Sequence, residues 1–383
     1  NKKFTDKYLA GLEKDDDTII VSSLILGEIG RLNDLSGNKE LTKTLDGLFN
    51  HSNSDVKIAA SHCLGHICIG NLKYFLPIVI DFINNEPKHK FLLLMSIREI
   101  IDTKLHHVSE HMETLSEILF ENAKSDEEKI RNVVSECLGK LFAASGLEML
   151  QEFDSRLSST NQLVRSTIAK CLKYAANKDT DPTAMASLIP DVIQLATDSE
   201  HQIRQYTLES LISIAHHLPN LLKKDCEELY KIISEQVVVK KELIKEVDLG
   251  PFKHKVDEGR PIRKAGFVLL DTMFEKMPEK INIPIVLDVI LIGLSDPDDD
   301  CVTQTLHILI KIVKWAPGAV VGQMSKILEK LPAILKEPAK GTTKSSIRIA
   351  VKAIEKMSEI PDVETNTVFQ KFIQDNNITP EEE

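Results

Sequence analysis

Ser159-Thr-Asn-Gln-Leu-Val-Arg-Ser-Thr-Ile-Ala-Lys-Cys-Leu172 decides the fold. Ser159, Thr160 and Asn161 are residues whose side chains accept a backbone N–H at the start of a helix. Behind them Val164, Ile168 and Leu172 recur at four-residue steps, one face of a 3.6-residue period. A β-branched apolar residue followed by a basic one, here Val164-Arg165, marks the same point elsewhere: Val56-Lys57, Ile130-Arg131, Ile203-Arg204, Ile262-Arg263 and Ile347-Arg348. Val21-Ser22, Phe91 and Val302-Thr303 fill the gaps, so that successive markers stand 35, 35, 39, 34, 39, 59, 40 and 45 residues apart.

A repeat of about 35 to 45 residues is the period of two-helix HEAT or armadillo units. The fold class that follows is all-α: an α-α superhelix, or HEAT/armadillo-type solenoid, with one β-hairpin insert. About nine units run through residues 1–383 as a single array, and because Asn1 falls in mid-pattern the chain reads as a fragment of a longer one. Caps at Ser54-Asp55, Ser125-Asp126, Ser159-Thr160-Asn161, Asp198-Ser199 and Ser295-Asp296 are expected to start the second (inner) helix of a unit. Eight residues beyond the marker, Leu64, Leu138, Leu172, Leu211, Leu270 and Ile310 extend the core face. The first (outer) helices carry an apolar residue before proline, Leu76-Pro77, Ile189-Pro190, Ile283-Pro284 and Leu331-Pro332, which either kinks a helix or fixes its first turn. The recurring basic residue has two readings, a stitch to acidic groups of an adjacent repeat or a contact to a partner.

Composition agrees with helices. Apolar residues make up 42% and aromatics 5%, with one tryptophan, Trp315, and 16 glycines, a poor match to sandwiches, barrels and glycine-loop enzymes. The formal charge is -11, and no basic block tracks a phosphate backbone, so nucleic acid is not an expected partner. An acidic surface suits a partner with basic patches. Six scattered cysteines, Cys63, Cys68, Cys137, Cys171, Cys226 and Cys301, read as free thiols of a reducing compartment. With no apolar run of about 18 residues and no signal-like start, no membrane association is expected; the chain should be soluble, cytoplasmic and nuclear, and a monomer without its partner.

One interval breaks the rhythm. The 59 residues from Ile203 to Ile262 hold some 20 more than their neighbours, and residues 237–259 read as a β-hairpin inserted between two helices. Around the Gly250-Pro251 breaker, Val247, Leu249, Phe252, His254 and Val256 alternate with Lys245, Glu246, Asp248, Lys253, Lys255 and Asp257. A lone two-stranded ribbon is marginal in water. It either folds back over its own helices or projects, offering Val247, Leu249 and Phe252 as an adhesive strip. Lys336–Ser345 reads as a basic mobile loop, and 376–383 as an acidic flexible tail.

Catalytic chemistry is hard to find. His62 and His66, four apart, could share a metal, but Cys63 and Cys68 fall on other faces and no second ligand cluster has a matching spacing, so no metal and no cofactor are expected. His107 and His111 read as a solvated pair, and Asp296-Pro-Asp-Asp-Asp300 as a helix cap with favourable charge rather than a calcium loop. Phosphate cradles and nucleophile elbows are lacking, so the chain is not expected to be an enzyme.

Several segments carry a family resemblance. Arg131-Asn-Val-Val-Ser-Glu-Cys-Leu-Gly-Lys-Leu141, Lys241-Glu-Leu-Ile-Lys-Glu-Val247, Gly250-Pro-Phe-Lys-His254 with Val256-Asp257, Ile262-Arg-Lys-Ala265 with Phe267, and Leu72-Lys-Tyr-Phe-Leu-Pro77 resemble the carboxy-terminal part of the cullin-associated, neddylation-dissociated proteins. The loop before Ile347 is shorter than in that family. The resemblance implies a non-catalytic regulator of cullin-RING ubiquitin ligases that clasps an unneddylated cullin with its RING subunit. Its carboxy-terminal arch would embrace the cullin's amino-terminal domain, and its hairpin would compete with the adaptor and promote exchange of substrate-receptor modules. Leu249, Phe252 and Val256 would then be apolar anchors beside Val247, Gly250 and Pro251, with Lys253, His254 and Lys255 orienting them at the rim. An importin-like nuclear transport receptor, another acidic helical solenoid, and a phosphatase scaffold are the alternatives; the latter has more uniform repeats and does not account for the long interval.

Overall fold

A computed structural model describes residues 2–103, 109–249, 252–336 and 345–376. Its helices are α1 Lys2–Leu9, α2 Asp16–Leu32, α3 Leu41–Leu48, α4 Ser54–Gly70, α5 Leu72–Asn85, α6 Lys90–Thr103, α7 Met112–Asn122, α8 Glu128–Leu157, α9 Gln162–Ala175, α10 Pro182–Leu195, α11 His201–His217, α12 Cys226–Gln236, α13 Arg260–Lys276, α14 Ile283–Gly293, α15 Asp299–Trp315, α16 Pro317–Gly322, α17 Met324–Leu335, α18 Ser345–Ser358 and α19 Thr367–Asp375. Two strands, β1 Ile244–Leu249 and β2 Phe252–Asp257, make the one sheet among the described residues. Contacts divide the chain into two compact units, Asn1–Leu188 and Ile189–Glu383.

In the first unit the inner helices α2, α4, α6, α8 and α9 pack each on the next, with α1, α3, α5 and α7 outside them. Helix α8 is two helices in one run: Ser145, at φ -141 and ψ 40, breaks the geometry, so the run serves as the inner helix of one repeat and the outer helix of the next. The second unit repeats the plan with α11, α13, α15 and α18 inside, and α12, α14 and α17 outside. Leu64, Leu138, Leu172, Leu211 and Leu270 are all completely buried, at 0% exposure. No helix among the described residues is long and apolar enough to cross a membrane.

The caps explain where the sequence register slips. Asn53, rather than Ser54 or Asp55, caps α4 by accepting the Asp55 N–H at 2.8 Å. Asn161 caps α9, and Asp298 caps α15 by accepting the Cys301 N–H at 3.2 Å. In α4 and α9 the marker stands three residues after the cap. Asp15 caps α2 through the Thr18 N–H, which puts Thr18 at the marker point and leaves Val21 52% exposed while Ile19 is buried. By the same step Cys301, not Val302, is the marker of α15, and Leu309, not Ile310, is the fully buried residue eight further on. The expected positions were one to three residues off because apolar side chains crowd both neighbouring helical positions there, and only the cap fixes the phase.

Three of the recurring arginines, Arg131, Arg165 and Arg204, reach back to the turn leading into their own helix, whereas Arg263 makes the expected stitch to an acidic group of the adjacent repeat, Asp296. Arg131 donates from Nη1 to the carbonyls of Ser125 (2.7 Å) and Asp126 (3.1 Å), Arg165 to those of Ser159 and Thr160, and Arg204 to those of Asp198 and Ser199. Each cation therefore ties down the turn that leads into its own helix, satisfying carbonyls that no helical N–H reaches. Pro77, Pro190 and Pro332 lie inside α5, α10 and α17, whereas Pro284 occupies the first turn of α14. The six cysteines are free and buried. The segment 337–344 and the tail from 377 lie outside the described residues.

Candidate interaction surface

The long interval holds a hairpin. Its antiparallel register pairs Ile244 with Asp257, Lys245 with Val256, Glu246 with Lys255, Val247 with His254, Asp248 with Lys253 and Leu249 with Phe252. Gly250 and Pro251 lie outside the described residues, while Leu249, Phe252 and His254 are placed by strand register alone. Paired residues share a face and successive ones alternate. Val247, Val256 and Lys245 accordingly lie on one face, and Glu246, Asp248, Lys253 and Lys255 on the other.

One sequence grouping changes as a result. Lys245 does not stand with Glu246, because adjacent strand residues cannot share a face. Lys253 and Lys255 lie on the face away from Val247 and Val256, and His254 pairs with Val247 in the register. Reading polarity without pairing cannot recover this, since pairing sets the phase of both strands at once.

The ribbon stands clear of its helices. Lys245, Glu246, Val247, Asp248, Lys253, Lys255 and Val256 are exposed, Val247 at 40% and Val256 at 45%. On the charged face Lys253 Nζ lies 3.7 Å from Glu246 Oε2, a screened surface pair that adds little stability. The insert is also shorter than 237–259. Val237 is fully buried at the end of α12, a single 3-10 turn covers Lys241–Leu243, and Gly259 is already the cap position of α13.

Stability comes from the base. The Glu258 N–H donates to the Leu243 carbonyl at 3.0 Å, and Lys245 Nζ reaches Glu258 at 2.7 Å. Behind them Arg263, its side chain 1% exposed, donates from Nε and Nη2 to the two oxygens of Asp296 at 2.7 and 3.0 Å. Its Nη1 lies 2.9 Å from Asp257 Oδ2, an ion pair outside hydrogen-bond alignment. Burial opposes the charge on this guanidinium, but Asp296 and then Asp257 outweigh it and raise its pKa. Arg263 thus joins three segments: the foot of β2, α13 and the turn into α15. Its place immediately after the long interval was the available signal.

The acidic run 296–300 divides its work. Asp296 neutralises Arg263, Asp298 caps α15, and Asp300 meets Arg260 at 2.8 Å and Lys264 at 3.0 Å. His111 is half-buried, and its companion His107 lies outside the described residues. His62 and His66, set aside for lack of a further ligand, meet Glu99, and one ligand atom from each lies within 4.8 Å of the others. Glu99 comes from the neighbouring repeat, which no local spacing rule connects to the histidines.

An inner layer and an outer layer of stacked helical pairs, carrying one clamped hairpin, define a HEAT-repeat helical solenoid. Solved structures of this architecture match nearly the whole chain: Kap121p bound to RanGTP, with a TM-score of 0.64 over 96% of this chain and 39% of that one, and yeast importin-beta (Kap95p), with 0.61 over 98% and 48%. At 14% identity the likeness is one of fold alone. The TIP120 family model, described as TATA-binding protein interacting (TIP20), matches residues 221–377, which include the hairpin. The chain is 32% identical to Cullin-associated NEDD8-dissociated protein 1 of Dictyostelium discoideum over 97% of its own length and 32% of that protein's, and 30% identical to the Drosophila melanogaster protein of that name over 98% and 31%. An Emericella nidulans relative named as the C-terminal part is 25% identical over 80% of this chain. This chain belongs to the cullin-associated NEDD8-dissociated protein family and spans about a third of the length of these relatives.

Proposed function

We propose that this chain is the cullin-embracing portion of a non-catalytic regulator of cullin-RING ubiquitin ligases, working as a monomer in the cytoplasm and nucleus until it meets its partner. It binds the amino-terminal domain of an unneddylated cullin carrying its RING subunit. There the hairpin excludes the adaptor, and overlapping sites that weaken each other let substrate-receptor modules exchange. The observation that carries this reading is a ribbon with exposed Val247 and Val256 whose foot is clamped by a buried Arg263. A partner's groove gives those valines burial that their own fold does not supply, while the rigid foot lowers the ordering cost of docking.

Replacing Val247 and Val256 together by serine removes the two exposed valine side chains from the ribbon. If both are buried on docking, the loss is about 2–4 kcal/mol, roughly 30- to 1,000-fold in affinity. Titration of the double variant against a purified cullin amino-terminal domain, with and without adaptor, measures it. A variant that binds cullin and displaces adaptor as well as the parent removes the hairpin from the mechanism, and binding of a Ran-type GTPase in place of cullin favours a transport role.

A further inference from the structure

We propose that His62, His66 and Glu99 form a binding site for a zinc-class divalent metal ion that staples α4 to α6. The two histidines occupy successive turns of one face of α4, with ring centroids 4.0 Å apart. Glu99 projects from α6, and its Oε2 lies 3.4 Å from His62 Nε2 and 3.7 Å from His66 Nε2. A tetrahedral ion with bonds of about 2.0–2.1 Å sets its ligand atoms roughly 3.3–3.4 Å apart. The carboxylate-to-imidazole distances therefore come within a few tenths of an ångström of the edges of such a tetrahedron.

The surroundings are built for those three donors. Gly65, between the histidines, allows the helices to approach: a Cβ there would lie 2.7 Å from both the Ser96 carbonyl oxygen and Glu99 Cβ. Arg98 donates to Glu99 Oε1 at 3.0 Å, leaving Oε2 to face the imidazoles. On the other side Glu28 of α2 brings Oε1 to 3.0 Å from His66 Nδ1, the carboxylate–histidine arrangement that orients a metal-bound imidazole and leaves its Nε2 for the ion. That contact is out of line for a full hydrogen bond, so Nδ1 of His66, a side chain only 10% exposed, has no aligned partner; the buried Nδ1 of His62 has none either. Two neutral imidazoles and one carboxylate favour zinc, cobalt or nickel over magnesium or calcium, which prefer oxygen donors. His62, 35% exposed, lies at the solvent side, where water can take the fourth position.

The test uses the full chain, stripped with chelator, titrated with zinc chloride by calorimetry and with cobalt(II) by visible absorption. One equivalent of zinc should bind and cobalt should give the intense bands of four-coordinate geometry, with magnesium giving no heat. His62→Gln, His66→Gln and Glu99→Gln should each weaken binding at least a hundredfold, and Glu28→Gln ten- to a hundredfold. His66 is buried and its loss can disturb packing, so His62→Gln, a partly exposed position, is the deciding variant, with circular dichroism showing the fold retained. No zinc heat in the parent, or equal heat in the His62→Gln and Glu99→Gln variants, overturns the site.

Discussion

Arg263→Met tests the hairpin clamp most directly. The methionine keeps much of the apolar volume of the side chain but removes the charge that holds Asp296, whose side chain is 1% exposed, and Asp257, which is 23% exposed. Removing one partner of a buried ion pair leaves a carboxylate without compensation and costs about 3–5 kcal/mol. The more exposed Asp257 pair adds at most about 1 kcal/mol. Trp315, the only tryptophan, supplies the readout, because it packs edge-on against Phe274 of α13 with ring centroids 5.5 Å apart and so reports on the α13–α15 contact. With a urea dependence of about 2–3 kcal/mol per molar, the fluorescence midpoint should fall by roughly 1–3 M. Amide exchange in β1 and β2 should quicken in parallel. Arg263→Met combined with Asp296→Leu should recover most of the loss, since an apolar pair in place of a buried ion pair is close to neutral or better. A midpoint shift below about 0.3 M, or a double variant worse than the single one, would show that the guanidinium does not hold the base together.

Two further expectations concern packing and protonation. Burial pushes the Tyr230 phenol up to about 12, so between its unfolded value near 10 and about 12 the folded chain holds a proton that the unfolded chain releases. Stability should be intact below pH 10 and fall by roughly 3 kcal/mol as pH rises through that window, a loss that Tyr230→Phe flattens when urea midpoints at pH 8 and pH 11 are compared. At neutral pH that substitution should cost about 1–3 kcal/mol, because Tyr230 Oη donates to the Lys280 carbonyl and accepts from the Asn282 N–H, both at 3.1 Å. Gly65→Ala should lower stability by about 1–3 kcal/mol through overlap with Ser96 and Glu99, whereas Gly318→Ala, with nothing within 4 Å of the added Cβ, should be neutral or raise it by up to about 1 kcal/mol; thermal unfolding separates the two.

Much of this was readable along the chain because its causes are local. A cap such as Asn161, apolar residues at helical steps and turn residues flanking alternating strands act over one or two turns, so inner helices, proline-bearing outer helices and the hairpin between Ile203 and Ile262 follow from residue order. The phase within each element was less secure. Val21 and Val302 have apolar neighbours that fit the pattern equally well, and only hydrogen bonds at Asp15 and Asp298 choose between them.

The family resemblance was likewise legible in short motifs such as Gly250-Pro-Phe-Lys-His254. The faces of the ribbon were not, because pairing Val247 with His254 and Lys245 with Val256 depends on how two strands meet. Nor could residue order bring Arg263 to Asp296, 33 residues away, or place Glu99 beside His62 and His66. Periodicity dictates that helices form and which sides seek burial, since those preferences belong to each segment alone. Which charges become buried partners and which donors converge is decided when one repeat stacks on the next, where a glycine's missing side chain or a cap's single hydrogen bond sets the approach and rotation of whole helices.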